Sequence, residues 1–323
     1  MLIQKNQLSG LMLCSLIALV AMALAPFLPL NALMVALLLG MALSALWQVP
    51  TSWRPGVIFS MKKVLRLAII LLGLRLSLAE VQQLGWSSAG LILLCVLSTF
   101  GITLLLGRWL KLSTPGSILM ASGISICGAS AILAADAIVE AEESETVYAV
   151  ATITLLGTVA MLSYPLLQNL LHLSALHYGL WVGSSVHEVA QVVAAGFAQG
   201  EITGELATIT KLTRVLLLVP IMFALALYQR QKTRHQQSLQ VPIPWFVFGF
   251  LGVMLLHPFL PVALTQPLGM LGQFTLTLSM AALGLETRLD KLRSAGLRPL
   301  YLGVLSSLWI SGVSLGTLYL LQP

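Results

Sequence analysis

Residues 181–220 read WVGSSVHEVAQVVAAGFAQGEITGELATITKLTRVLLLVP and set His187, Glu188, Lys211 and Arg214 inside two strongly apolar runs. Bilayer hydrocarbon admits ionisable side chains only where they have a partner, a cavity or a task. The stretch therefore asks what justifies them, and the rest of the chain supplies the setting.

Of 323 residues, 58% are hydrophobic and 9% are charged, and the mean hydropathy is +0.95. A soluble domain carries about a quarter charged residues. Apolar runs of about 20 residues, each enough to cross some 30 Å of hydrocarbon, recur from end to end. The fold class is all-α: a polytopic membrane protein with a single transmembrane domain over 1–323 and the lipid bilayer as its solvent. Cys14, Cys95 and Cys127 sit far apart within apolar runs and indicate neither a disulfide framework nor a zinc site. The net charge of +6 reads as topology, not as affinity for nucleic acid.

Eleven spans are expected, near 9–25, 31–48, 61–79, 88–107, 117–139, 146–168, 178–199, 206–228, 243–261, 267–287 and 299–320. Residues 1–25 fit a signal peptide as well as a first span, and the charge pattern favours an uncleaved span. With the N-terminus inside, fourteen of the seventeen Lys and Arg residues fall on one face: Lys5; Arg54, Lys62, Lys63 and Arg66; Arg108 and Lys111; Arg230, Lys232 and Arg234; Arg288, Lys291, Arg293 and Arg298. The acidic run from Asp136 to Glu145, and Glu201 and Glu205, fall on the other. Cytoplasmic loops collect the cations, so the N-terminus is expected in the cytoplasm and the C-terminus in the periplasm.

Eleven spans also parse as an extra N-terminal helix (1–25) and two sets of five (31–168 and 178–320), the inverted-repeat plan of many secondary transporters. Two echoes bear on this. Leu72-Gly73-Leu74 resembles Leu283-Gly284-Leu285, each followed by an amphipathic turn (LSLAEVQQLG and TRLDKLRSAG), which pairs span 3 with span 10. A gapless echo aligns Gly123, Ser125, Ala134, Ala135 and Glu145 with Gly183, Ser185, Ala194, Ala195 and Glu205, which pairs spans 5 and 6 with 7 and 8 in one orientation.

Depth along straight helices brings three spans to one level. His187 and Glu188 lie ~14–15 Å into span 7, Arg214 ~12 Å into span 8 and Cys127-Gly128 ~15–17 Å into span 5. Gly123, Gly128, Ser122, Ser125 and Ser130 make span 5 an expected interrupted helix, whose exposed N–H groups suit an anion. Lys211 and Arg214 share one helix face, with Thr210 and Thr213 beside them. The expected anion site is thus Lys211, Arg214, Cys127, Gly128, Ser130, Ser125 and Thr210, with His187, Glu188 and Gln191 in coupling or gating roles. The structural alternatives are close packing through the small residues of span 5, a snorkelling Lys211, a packing His187, and a Glu188 ion pair to Lys211 or Arg214 that merely locks spans 7 and 8. Arg75 and Glu286 read as interfacial anchors, and Trp181, Trp245, Trp309 and Tyr319 as interface belt residues.

GISICGASAILAA (123–135), SSVHEVAQVVAAG (184–196), ATITKLTRVLLLVP (207–220), LLGLRLSL (71–78) and ALGLETRL (282–289) together resemble the YeiH-type bacterial inner-membrane proteins, a family also named for proposed sulfate export. The likeness runs over nearly the whole chain in order. It implies a secondary carrier of ten or eleven spans, related in fold to sodium-proton antiporters and bile-acid carriers, that exports sulfate or a related sulfur oxyanion. It supplies the substrate class and no site residues.

The expectation is an inner-membrane secondary transporter that exports a small anion by alternating access, with protons as candidate coupling ions, a homo-oligomer allowed, and no cofactor, metal or enzymatic activity. An anion channel is the first alternative. An intramembrane serine hydrolase using Ser130 and His187 is the second, although it leaves Lys211 and Arg214 unexplained. His187-Glu188-Val-Ala-Gln191 begins like H-E-x-x-H but has Gln in place of the second imidazole, and no phosphate-binding loop for a pump occurs.

Overall fold

The computed structural model describes residues 5–28, 30–75, 85–232, 245–286 and 297–320, and among these every regular element is helical. In chain order they are α1 (Lys5–Leu24), α2 (Ala32–Leu46), α3 (Arg54–Phe59) running through a π-turn into α4 (Leu65–Leu72), α5 (Gly85–Trp109), α6 (Thr114–Ser122) extended by a π-turn (Gly123–Cys127), α7 (Ala129–Val139), α8 (Glu143–Leu171), α9 (Ala175–Ser185), α10 (Val189–Phe197), α11 (Glu201–Leu216), α12 (Leu218–Lys232), α13 (Trp245–Leu256), α14 (Val262–Glu286) and α15 (Leu297–Leu320). Among the described residues six helical stretches are long and apolar enough to cross a membrane: Gln7–Phe27, Ser87–Trp109, Glu143–Leu171, Glu201–Gln229, Val262–Glu286 and Leu297–Leu320. Arg234, Arg288, Lys291 and Arg293 of the charge pattern, and the amphipathic turns after both Leu-Gly-Leu motifs, lie outside the described residues.

The helices gather into two compact units, one from Met1–Gln83, Phe197–Gly204 and Trp245–Leu289, the other from Leu84–Gly196, Glu205–Pro244 and Asp290–Pro323. In the first, α14 packs along α2 and α4, and α13 packs on α4. Two glycines set these approaches. A β-carbon on Gly284 would stand 2.9 Å from Met41 N and 3.0 Å from Gly40 Cα; one on Gly73 would stand 2.6 Å from Phe250 O and 3.1 Å from Met254 N. Each glycine of the two Leu-Gly-Leu motifs therefore admits another helix backbone at van der Waals range, against residues spaced alike (Leu37, Gly40, Met41 and Phe250, Val253, Met254). At the edge of this unit Arg54 pairs with Glu286 at 3.1 Å.

The second unit departs from the sequence expectation. Span 5 is not one interrupted crossing helix. Gly123 and Ile132 would be ~13 Å apart along a straight helix, yet a β-carbon on Gly123 would stand 2.8 Å from Ile132 Cγ1. Helices α6 and α7 fold back on each other as a hairpin, and Ser113 before it hydrogen bonds Glu145 after it. Span 7 does the same. Tyr178 and Ala195 would be ~25 Å apart in a straight helix, but the Tyr178 hydroxyl donates to the Ala195 carbonyl at 3.1 Å. Spans 5 and 7 are therefore helical hairpins and not the single long helices expected. The Ser113–Glu145 hydrogen bond accordingly brings the acidic residues around Glu145 to the Arg108 and Lys111 end of α5.

The two hairpins are built alike, down to their punctuation. Each follows a residue with positive φ (Lys111 at 57°, His172 at 50°). Each opens on a serine N-cap, Ser113 accepting from Gly116 N at 3.0 Å and Ser174 from His177 N at 3.3 Å. After the second arm the chain turns again through positive φ, at Glu140 (49°) and Gly200 (121°), and enters a long helix. Side-chain oxygens at such caps satisfy amides that have no partner within the helix. The Gly123/Gly183 echo of the sequence is thus a repeated supersecondary unit of hairpin plus long helix.

Candidate functional site

The tips of the two hairpins are held by one pair of cations. Lys211 and Arg214 stand on α11 and are fully buried. Lys211 Nζ donates to the carbonyls of Ile126 at 2.8 Å and Val186 at 2.9 Å. Arg214 donates through Nε to Ser125 O at 2.6 Å, through Nη1 to Ser184 O at 2.9 Å and Val186 O at 3.0 Å, and through Nη2 to Ile124 O. These are the last carbonyls of each first arm, the groups a helix leaves unpaired at its negative dipole end. A buried cation is costly alone and is tolerated when hydrogen bonded and matched by opposite partial charge. Here both first arms share that match.

The second arms begin where the first arms end. At the first tip Gly128 takes φ 72° and ψ −136°, a conformation that side chains strongly resist. At the second tip Glu188 precedes α10 and crosses the first. A β-carbon on Gly128 would stand 2.5 Å from Glu188 Cγ, and Glu188 Oε1 accepts from Thr154 Oγ1 of α8 at 2.9 Å. Gln191 fixes the start of α10. Its Oε1 accepts from Glu188 N at 3.1 Å, in the manner of a capping-box partner, and its Nε2 donates to Thr154 O at 3.0 Å and Thr158 Oγ1 at 3.4 Å. The amide of Gln191 lies over Gly157, where a β-carbon would meet its Cδ at 2.6 Å.

The remaining expected residues are placed as follows. His187 is buried, with Nε2 2.8 Å from Ser307 Oγ on α15 and Nδ1 without a hydrogen-bond partner. Ser130 is exposed, and its hydroxyl donates to the carbonyl of buried Cys127 at 3.3 Å. Ser125 and Thr210 return their hydroxyls to their own helices, at Ala121 O (2.5 Å) and Leu206 O (2.8 Å). The structure therefore brings Lys211, Arg214, Glu188, Gly128, Cys127 and Gln191 to the two tips, while Ser125 contributes its carbonyl and not its hydroxyl. Glu188 is bonded to Thr154, and the two cations to carbonyls.

Sequence reasoning missed Thr154, Thr158, Gly157 and Ser307. The 60-residue echo offered a signal for the first, since it aligns Thr154 with Arg214 and Gly128 with Glu188. Trp181 is a correction. It is 2% exposed, stacks on Tyr164 at 3.9 Å between ring centroids and donates Nε1 to Ser311 O at 3.2 Å, so it is a core residue of this unit and not part of an interface belt. Trp245, Trp309 and Tyr319 are exposed as expected.

Comparison with known proteins agrees with a membrane protein over most of the chain. The family profile described as conserved hypothetical protein 698 matches residues 9–303. The chain is similar to the UPF0324 membrane protein of Pseudomonas putida, 37% identical with 95% of this chain and 92% of the relative covered. It is 36% identical to the UPF0324 membrane protein of Listeria monocytogenes (91% and 89% covered) and 38% identical to that of Haemophilus influenzae (87% and 86% covered). No solved structure matches the chain.

Proposed function

We propose that the chain, which belongs to the family of conserved hypothetical protein 698 and whose relatives bear the name UPF0324 membrane protein, is a secondary transporter that exports a small anion by alternating access. The observation that carries this reading is the pair of hairpin tips joined by Lys211 and Arg214. Irregular backbone at membrane depth persists only where protein buries it or a cavity takes it up, and paired discontinuous elements around an ion seat are a carrier's device. The two cations cap the negative ends of the first arms. Helices α7 and α10 begin at the same tips, and a helix N-terminus carries positive partial charge. That is chemistry for an anion.

Among the described residues Glu188 is the carboxylate at this seat, so its protonation changes the seat's charge. Ionised, it leaves Lys211, Arg214 and Glu188 with a sum of +1; protonated, the sum is +2. A proton on Glu188 and an anion therefore favour each other. Outward movement of a divalent anion already runs down an inside-negative potential, by about 4.6 kcal/mol at 100 mV, so Glu188 is better read as a gate on the seat than as the source of drive. The sulfur oxyanion and the outward direction rest on the family resemblance; the anion itself rests on the charges.

Fold symmetry supports the alternating-access part. Each hairpin returns to its own side and each following long helix crosses once, so the second hairpin-plus-helix copy starts where the first one ends and lies inverted, contrary to the one-orientation reading of the sequence. The Gly73 and Gly284 packings pair α4 with α14 and α2 with α13. Within the first unit the two packings are alike, and within the second the two hairpins are alike.

A serine hydrolase is less favoured, because Ser130 donates to Cys127 and His187 bonds Ser307. A binding screen of purified protein tests the anion reading, since a specific ligand stabilises the folded state by mass action. Sulfate, sulfite, thiosulfate or a small sulfonate should raise the melting temperature; stabilisation by cations or uncharged solutes only would overturn it.

A further inference from the structure

A groove in the second unit, remote from the hairpin tips in composition and with no part in the proposed transport, has the form of a lipid site. It has a volume of about 380 Å³ and is lined from α5 by Leu97, Phe100, Leu104 and Arg108, from the start of α6 by Thr114, Ser117 and Ile118, and from α12 by Ile221, Ala224, Leu225 and Tyr228. The α5 residues recur on one helical face over eleven positions, or ~16 Å of rise. That is the depth of one leaflet's hydrocarbon, half of ~30 Å.

The polarity of the lining is graded along that length. At the deep end it is Leu97, Phe100 and Ile221. At the other end stand Arg108 in the last turn of α5, Thr114 in the first turn of α6, and Tyr228 in the last turns of α12. Trp109, 73% exposed, and Tyr228, 48% exposed, mark that end as the level where aromatic side chains meet headgroups. No acidic residue lines the groove among the described residues, and Glu145 and Glu142, on the turn that Ser113 joins, bond Ser113 and form the capping box of α8. Among the residues that line it, Arg108 is the charged one, at the mouth of an apolar slot one leaflet deep.

We propose that this groove holds a glycerophospholipid with an anionic headgroup from the leaflet at the α5 C-terminus, one acyl chain lying along Leu97, Phe100 and Leu104 and the phosphate paired with Arg108. Basic pockets between membrane helices select anionic headgroups, at about 1 kcal/mol per cationic side chain. A phosphate also suits the fork of an arginine, which can donate two parallel hydrogen bonds to it.

The test is native mass spectrometry of the whole protein released from nanodiscs made of equal parts phosphatidylglycerol and phosphatidylcholine. The wild type should retain phosphatidylglycerol in preference to phosphatidylcholine. Arg108→Gln should lose about fivefold of that preference, as ~1 kcal/mol implies, with acyl occupancy kept. Leu104→Trp, which fills the slot while leaving Arg108, should reduce retention of both lipids. Equal retention of the two lipids by the wild type would overturn the proposal, as would an unchanged preference in Arg108→Gln. A second copy of the chain at the groove, seen as a dimer that Leu104→Trp dissolves, would overturn it as well.

Discussion

Gly128 and Glu188 occupy equivalent places at the tips of two similar hairpins, and they touch: a β-carbon on Gly128 would stand 2.5 Å from Glu188 Cγ and 3.5 Å from its Cδ. One tip has dispensed with a side chain so that the other can lay its carboxylate stem across it. The contact places the ionisable residue of one hairpin on the backbone turn of the other, and most of the behaviour expected of the site follows from it.

Gly128→Ala should be strongly destabilising for two separable reasons, the positive φ of 72° and the steric conflict with Glu188. The backbone term alone is ~1–3 kcal/mol. Adding Glu188→Ala should restore part of the loss and not all of it. Gly101→Ala on α5, where nothing lies within 4 Å, is the control and should be neutral or stabilising by ~0.5–1 kcal/mol. Melting curves in detergent read all three; a Gly128→Ala protein as stable as the Gly101→Ala control would rule out the tip geometry.

Arg214→Gln should lower stability by ~3–5 kcal/mol, because it strips donors from buried carbonyls of both first arms. Arg214→Lys should recover little, since an ammonium lacks the planar fork that reaches Ile124, Ser125, Ser184 and Val186. An Arg214→Gln protein that melts like the wild type would show that the guanidinium is not a structural clamp.

How much of this could be read from the sequence divides along a physical line. The ionisable residues at depth were legible because charges in hydrocarbon are few and each must be explained. The break at Gly128 was legible because two glycines and three serines crowd span 5. The fold-back was not, since a half-helix that returns and one that continues have the same apolar periodicity, and rise arithmetic assumes a straight rod. The second tip was hidden further: Ser-Ser-Val-His-Glu (184–188) contains neither glycine nor proline. Its turn is set by tertiary partners, Arg214 and Lys211 on its carbonyls and Gln191 on the Glu188 amide. Trp181 was misread because position in a span does not reveal which face meets lipid and which meets Tyr164.

Gly73→Ala and Gly284→Ala should destabilise to a similar degree, each forcing a β-carbon against a partner backbone, at Phe250 O (2.6 Å) and at Met41 N (2.9 Å) respectively. Overpacking of this kind costs ~1–3 kcal/mol. Their partners are spaced alike, so a large effect of one and none of the other would count against treating the two packings as equivalent.

Glu188→Gln keeps the shape of the side chain and fixes it neutral. If Glu188 gates the seat, flux in the variant should lose its dependence on pH while remaining selective for anions. A variant whose pH profile matches the wild type would remove Glu188 from the gate and leave it as a packing residue over Gly128.

The central claim is that the paired tips carry an anion across the membrane, and flux into proteoliposomes under an imposed potential tests it most directly. The purified protein should give saturable movement of radiolabelled sulfate, or of a related sulfur oxyanion competing with it, toward the positive side. Liposomes without protein should show none. Movement of a cation or a neutral solute with no anion flux at either polarity would contradict the account.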